Sequence, residues 1–151
     1  MAYFVLTLAL LATRLPFIAK YLFNWDSGQF ALALDVFNIS FHQPHPPGYF
    51  LYVVVAKIFN LVLNNPNLSY IIENIIFFIL AVFVFLKLSR LVFKNNQIAW
   101  VASVVLIFNP VVWFYSNIAA VYMVDLFFSL FFVLLAWQIT FENTKNIKRI
   151  L

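Results

Sequence analysis

The sequence predicts an all-α, polytopic membrane protein with four transmembrane helices, and three observations predict it. Hydrophobic residues make up 66% of the chain and charged residues 9%, where soluble domains carry about 25% charged residues. That much apolar surface exceeds what a soluble core of 151 residues can hide. Four segments, roughly 2–22, 69–90, 97–115 and 118–141, come close to or pass the about 20 largely apolar residues that a helical span needs. The polar punctuation is gathered in one stretch, WDSGQFALALDVFNISFHQPHPPGYFLY from Trp25 to Tyr52, which holds both histidines, both glycines and three of the six prolines. The net charge of +4 is read through its placement across a bilayer, not as a nucleic-acid footprint. No cysteine is present, so disulfides are excluded.

The first segment, MAYFVLTLALLATRLPF, lacks a basic leader and a small-residue cleavage site, so it reads as a retained span. It carries Arg14 near its outer end. Arginine there either snorkels to the headgroups or grips a phosphate with two parallel hydrogen bonds. An external loop, 23–68, follows. In it Phe30, Leu34, Phe37 and Phe41 fall at i, i+4, i+7 and i+11, with Ala31, Asp35, Asn38 and His42 one step behind. That spacing predicts an amphipathic helix with its greasy face in the headgroups and its polar face toward water. The proline corner at 44–47 stops it, and the chain turns back at Gly48.

The apolar run 48–63 is short, with Lys57, Asn60 and Asn64 along one helical face. Charge decides its placement. If it lies along the interface, a cytosolic N-terminus puts Lys87, Arg90 and Lys94 together with Lys145, Lys148 and Arg149 inside. Asp26, Asp35, Glu73 and Asp125 then gather near the external face. The second span opens on Glu73 and Asn74. The third ends on Trp113 and Tyr115, suited to the external interface, and Trp137 suits the opposite one. The fourth carries Asp125 well inside VYMVDLFFSLFF, where a charge needs a partner, such as Arg14 or Asn109, or a wet cavity.

Asp26 follows the first span directly. It is either a helix N-cap, a duty aspartate favours, or a carboxylate at the membrane surface serving as general base. Lys20 and Lys57 are weaker phosphate candidates, closer in character to lipid-headgroup partners. His42 and His45, with Asp26 or Asp35, have the chemistry of a metal set, but Pro44 between them spoils a regular ligand spacing, and no zinc site is expected. Nothing resembles a phosphate-cradling glycine loop or a nucleophile elbow.

The order of an apolar span ending in Arg14-Leu-Pro, then Asp26, an amphipathic helix and HPPGYFLY resembles the amino-terminal part of GT-C integral-membrane glycosyltransferases. The branch it looks most like is the protein O-mannosyltransferase-like one, with bacterial relatives that include lipid A aminoarabinose transferases. The segment NPVVWFYSNIAAVYMVD resembles that group's passage from the third span to an acidic residue opening the fourth. The resemblance implies that residues 1–151 form one transmembrane domain, the amino-terminal portion of a longer enzyme and inactive alone. It implies transfer of a sugar, hexosyl or mannosyl in type, from a polyprenyl-phosphate donor to a protein, lipid or glycan hydroxyl outside a bacterial inner membrane. Asp26 becomes the catalytic carboxylate and Arg14 a holder of the lipid phosphate. His45, Pro46, Pro47, Gly48 and Tyr49 shape the acceptor or sugar pocket, with Asp125 supporting it. No cofactor is implied, a divalent metal stays open, and nucleic acid is not a partner. Two departures stand out: Ser27 and Gln29 occupy places where relatives often carry a second acid, and Ala120 stands where some have glutamate. The rival class is a non-enzymatic small membrane protein, or a transporter or lipid-binding subunit, with Asp26 a cap and Arg14 a snorkeler.

Overall fold

The architecture is set by asparagine and proline punctuating a greasy chain. The computed structural model describes residues 2–142, without the side chain of Glu142; the basic residues Lys145, Lys148 and Arg149 lie outside the described residues. Seven α-helices follow in order: α1 (Ala2–Arg14), α2 (Trp25–Asp35), α3 (Phe50–Leu63), α4 (Pro66–Phe93), α5 (Asn96–Phe108), α6 (Pro110–Tyr115) and α7 (Tyr122–Trp137). No strand occurs among the described residues. Single 3-10 turns at Leu15–Phe17 and Ile39–Phe41 and a wider turn at Gln138–Glu142 complete the backbone.

Four helices start the same way. Asn24, Asn65, Asn95 and Asn109 each place a side-chain oxygen on backbone N–H groups of the following first turn, satisfying donors that have no intrahelical partner. Pro66 and Pro110 stand just inside two of these caps, where a missing N–H costs nothing. Asn64 and Lys94 end α3 and α4 in the left-handed region, so each connection to the next helix is one closing residue and one opening residue.

This punctuation moves several expected boundaries. The segment 97–115 is not one helix, because Asn109 is extended (φ −60°, ψ 125°) and splits it into α5 and α6. The first helix stops at Arg14, and Pro16 lies in the 3-10 turn that follows. Two helices are long and apolar enough to cross a membrane: α4, with 28 residues, and α7 continued to Phe141, with 20. Their most apolar windows are only 33% and 11% buried within the protein, unlike the core helix of a soluble domain. The helices over Ala2–Phe17, Phe50–Leu63 and Asn96–Phe108 are apolar but shorter.

Helix α4 is the axis. One core cluster joins Leu6 and Leu10 of α1 to Ile71, Phe78 and Leu86 of α4, Ile107 of α5 and Met123 of α7. A second joins Phe30 and Leu34 of α2 and Tyr52 and Ala56 of α3 to Tyr70 of α4 and Val124 of α7. The greasy face of the loop helix therefore packs inward on protein instead of lying in headgroups: Phe30 and Leu34 are buried, while Phe37 and Phe41 are exposed and lie beyond the helix end. Asn60, expected on a polar stripe, accepts from Ser69 Oγ of α4 at 3.3 Å.

Candidate functional site

The site begins at the first turn of α2. Its N-cap is Asn24, whose Oδ1 accepts from Ser27 N at 2.9 Å and lies 2.7 Å from Ser27 Oγ. Asp26 is thus relieved of capping and stands in the first turn, where the helix dipole favours a negative charge. Its side chain is 47% exposed, with Oδ1 3.8 Å from Nδ1 of His45, which is 25% exposed. That separation is an ion-pair contact when the imidazole is protonated, and too long for a hydrogen bond. Nδ1 of His45 is otherwise closed off, with no other partner among the described residues.

The corner that presents His45 is built by its backbone. Asn38 and Gln43 exchange hydrogen bonds, N–H to carbonyl at 2.6 and 2.9 Å. The Gln43–Pro44 and Pro46–Pro47 bonds are cis. Gly48 N then donates to the His45 carbonyl at 3.0 Å. Gly48 sits at φ 100°, and a Cβ there would come within 2.6 Å of Ile39 Cδ1, so only glycine fits. Gly48→Ala is expected to cost about 1–3 kcal/mol, read as a lowered unfolding midpoint of the purified protein. Gly28→Ala, in helical backbone with nothing within 4 Å of the added carbon, is expected to gain up to about 1 kcal/mol in the same measurement.

The His45 ring packs 5.4 Å from Phe30 and 5.2 Å from Tyr49. Phe30 also meets Tyr52 at 4.9 Å and Tyr70 at 5.7 Å, and Tyr70 Oη donates to the Phe30 carbonyl at 2.8 Å. This box of rings fixes the height of Asp26 against α3 and α4. On the other side, Ser27 Oγ donates to the Ala119 carbonyl at 2.7 Å, tying α2 to the buried loop that runs into α7. Asn74 of α4 grips the same loop, with Nδ2 donating to Ile118 O at 2.7 Å and Ala120 O at 2.8 Å.

That loop delivers Tyr122 and Asp125. Asp125 lies in the first turn of α7 and is exposed, not deep inside a span as its position in the sequence implied. The charges of Asp26 and Asp125 both bear on the Tyr122 hydroxyl, and Tyr49 and Tyr115 share its surroundings; the Tyr115 and Tyr122 rings are 4.4 Å apart. Asp26, His45 and Tyr49 thus form one contiguous group, with Tyr122 and Asp125 within electrostatic range of Asp26 across the loop, while Pro46 and Pro47 stand exposed at the outer rim of the corner. Tyr122 had no distinguishing signal in the sequence. Ser27, Asn24 and Ser116 are polar residues whose roles depend on contacts about 100 residues distant or on cap geometry, and spacing alone does not reveal them.

Arg14 stands apart from this cluster. It is completely buried; Nε donates to Ser116 Oγ at 3.1 Å, one Nη to Thr13 Oγ1 at 2.7 Å and the other to the Ile107 carbonyl. Its guanidinium lies 5.1 Å from the Phe78 ring centre. The partners are neither Asp125 nor Asn109, the two pairings the sequence offered. Glu73, expected near water, is also buried, with neither carboxylate oxygen hydrogen-bonded to the described residues.

The two histidines diverge: His45 faces Asp26, while His42 lines a cleft with Asp35. Among the described residues, no three His, Asp or Glu side chains gather as a metal set. What the cluster can do chemically is accept a proton at a half-exposed carboxylate held beside an imidazole. No protein-family model matches the chain, and comparison with characterised proteins and with solved structures likewise finds no match.

Proposed function

We propose that the chain is the amino-terminal portion of a GT-C-type membrane glycosyltransferase, moving a sugar from a polyprenyl phosphate to an acceptor hydroxyl on the external face. The observation that carries this reading is the meeting of Asp26 with His45 at 3.8 Å, across 19 residues of loop, at one end of a strongly apolar helix bundle. A carboxylate there reaches a donor whose tail lies in the outer leaflet. Asp26 takes the proton of the acceptor hydroxyl as that oxygen attacks the anomeric carbon. The bond from that carbon to the phosphate oxygen breaks, and the polyprenyl phosphate leaves with the electron pair. A phosphate leaving group needs little protonation, so one base with charge stabilisation serves. In this reading Asp125 and Tyr122 bound the sugar pocket, and His45 to Tyr49 form its outer wall. Arg14, buried against Ser116 and Ile107, braces the loop, and Lys20 and Lys57, both exposed, are cations open to the phosphate.

The reading carries a topology with four spans: α1, α4, α5 with α6, and α7, with α3 along the external interface. Reporter fusions test it. A fusion after Asn65 is expected outside and one after Asn95 inside; the reverse pattern would put Asp26 on the wrong side for an external reaction. The activity itself is tested by release of polyprenyl phosphate from a radiolabelled polyprenyl-phosphate sugar in membranes carrying the complete protein. Absence of release with every acceptor class, in membranes where the protein is inserted, favours the non-enzymatic rival.

A further inference from the structure

We propose that a cleft on the face of α2 turned away from Asp26 binds a neutral saccharide. The helix advances about 100° per residue, so Trp25, Gly28, Leu32 and Asp35 share one side, while Phe30, Ala33 and Leu34 are buried on the other. The cleft encloses about 590 Å³, and Trp25, Gly28, Gln29, Asp35, Phe41 and His42 are among its lining residues. Small-ligand sites span about 300–1,000 Å³, mostly apolar with a few convergent polar groups. This one matches.

Two features of the lining are not demanded by folding. Gly28 occupies helix α2, where alanine is better by about 1 kcal/mol, yet nothing lies within 4 Å of the missing side chain. It keeps the floor of the cleft open. Gln29 is only 6% exposed and its Oε1 has no hydrogen-bond partner among the described residues, a condition that is costly unless a donor arrives. His42, which closes the 3-10 turn Ile39–Phe41 with its N–H bonded to the Ile39 carbonyl at 3.1 Å, also lines the cleft.

The chemistry of the lining selects the class. Trp25 and Phe41 are 80% and 73% exposed, and flat rings so placed accept the C–H faces of a sugar ring. A carboxylate, an imidazole and a primary amide supply both donors and acceptors for hydroxyls. Among the described residues no lysine or arginine lines the cleft, so a phosphate finds no fork to hold it and meets Asp35 as a like charge. An acyl chain in the same place leaves the buried Gln29 Oε1 without a donor. A neutral polyhydroxylated ring answers all of these conditions. The proposal requires nothing of Asp26, so it stands or falls separately from sugar transfer.

The test is saturation-transfer NMR of neutral hexose disaccharides with the chain in phospholipid nanodiscs. Inositol phosphate serves as the anionic comparison, and circular dichroism monitors the fold. Disaccharide is expected to bind. Gly28→Leu, which fills the floor, and Asp35→Ala, at an exposed position, each weaken binding about tenfold or more. Absence of disaccharide binding overturns the proposal. So does binding that survives both cleft variants at wild-type strength, or preferential binding of the inositol phosphate. If Gly28→Leu loses helix content, Asp35→Ala decides alone.

Discussion

Asp26→Asn is expected to lower the rate of the proposed sugar transfer about 100- to 10,000-fold, the contribution usual for a positioned carboxylate base, while the protein inserts and keeps its helix content. The structure separates the two effects. Asn24, not Asp26, caps α2, so the substitution leaves the cap intact and forfeits only the favourable charge at the helix start, about 0.3–1 kcal/mol. The amide has the shape of the carboxylate and keeps its place beside His45, but it cannot take a proton. The measurement is turnover of a polyprenyl-phosphate sugar in membranes carrying the complete protein. Turnover near wild type in the Asp26 variant would remove this residue from the role of base and with it the reason for reading the chain as a transferase.

How much of this was legible in the sequence depends on the range of the interaction involved. The all-helical class follows from composition, and so do the two long apolar helices, because burial in oil leaves the backbone no other local solution. The helix in the loop was legible as well, but its position was not. Spacing of Phe30, Leu34, Phe37 and Phe41 placed it over 30–41, whereas it spans Trp25–Asp35. Periodicity marks a face and says nothing of where the backbone is capped; Asn24 begins the helix, and the Asn38–Gln43 hydrogen bonds claim the residues beyond its end. The same face was assigned to headgroups because a sequence does not show that α3 and α4 stand behind it. Asn65-Pro66 and Asn109-Pro110 are local signals and were readable as helix starts; uniform hydropathy across 97–115 outweighed them. Asp26 and His45 were both singled out by composition of the loop. Their meeting was not, since it rests on the turn closed by Gly48 and on the Phe30 rings. Asp125 misled for a simpler reason: counting from residue 118 made it interior, but the buried loop through Val121 delays the start of α7 to Tyr122.

Arg14 gives the second large effect, and here the two readings of one residue part cleanly. A substrate-gripping arginine needs an open side; this one is completely buried and donates to Ser116 Oγ, Thr13 Oγ1 and the Ile107 carbonyl. Hydrogen bonds from a charged group are worth about 1.5–3 kcal/mol each, so Arg14→Ala removes more than a domain of this size can readily lose. Its partners bracket the molecule: Ile107 lies in the last turn of α5, Ser116 opens the loop that leads to Asp125, and Thr13 belongs to α1. The Ala19 N–H bonded to the Asn117 carbonyl at 2.9 Å, and Trp113 Nε1 bonded to the Thr13 carbonyl at 3.0 Å, close the same junction. Arg14→Ala is therefore expected to abolish accumulation of folded protein, measured by detergent-solubilised yield and protease resistance. Arg14→Lys is the sharper experiment, because an ammonium keeps the charge and loses the planar fork that reaches three partners in different directions. For a brace, the lysine variant unfolds at markedly lower temperature, and the surviving folded fraction keeps wild-type affinity for the donor. For a phosphate grip, the lysine variant keeps its unfolding temperature and loses donor affinity. The burial and the directions of the donors favour the first outcome, which would leave phosphate recognition to a cation in contact with solvent, such as Lys20.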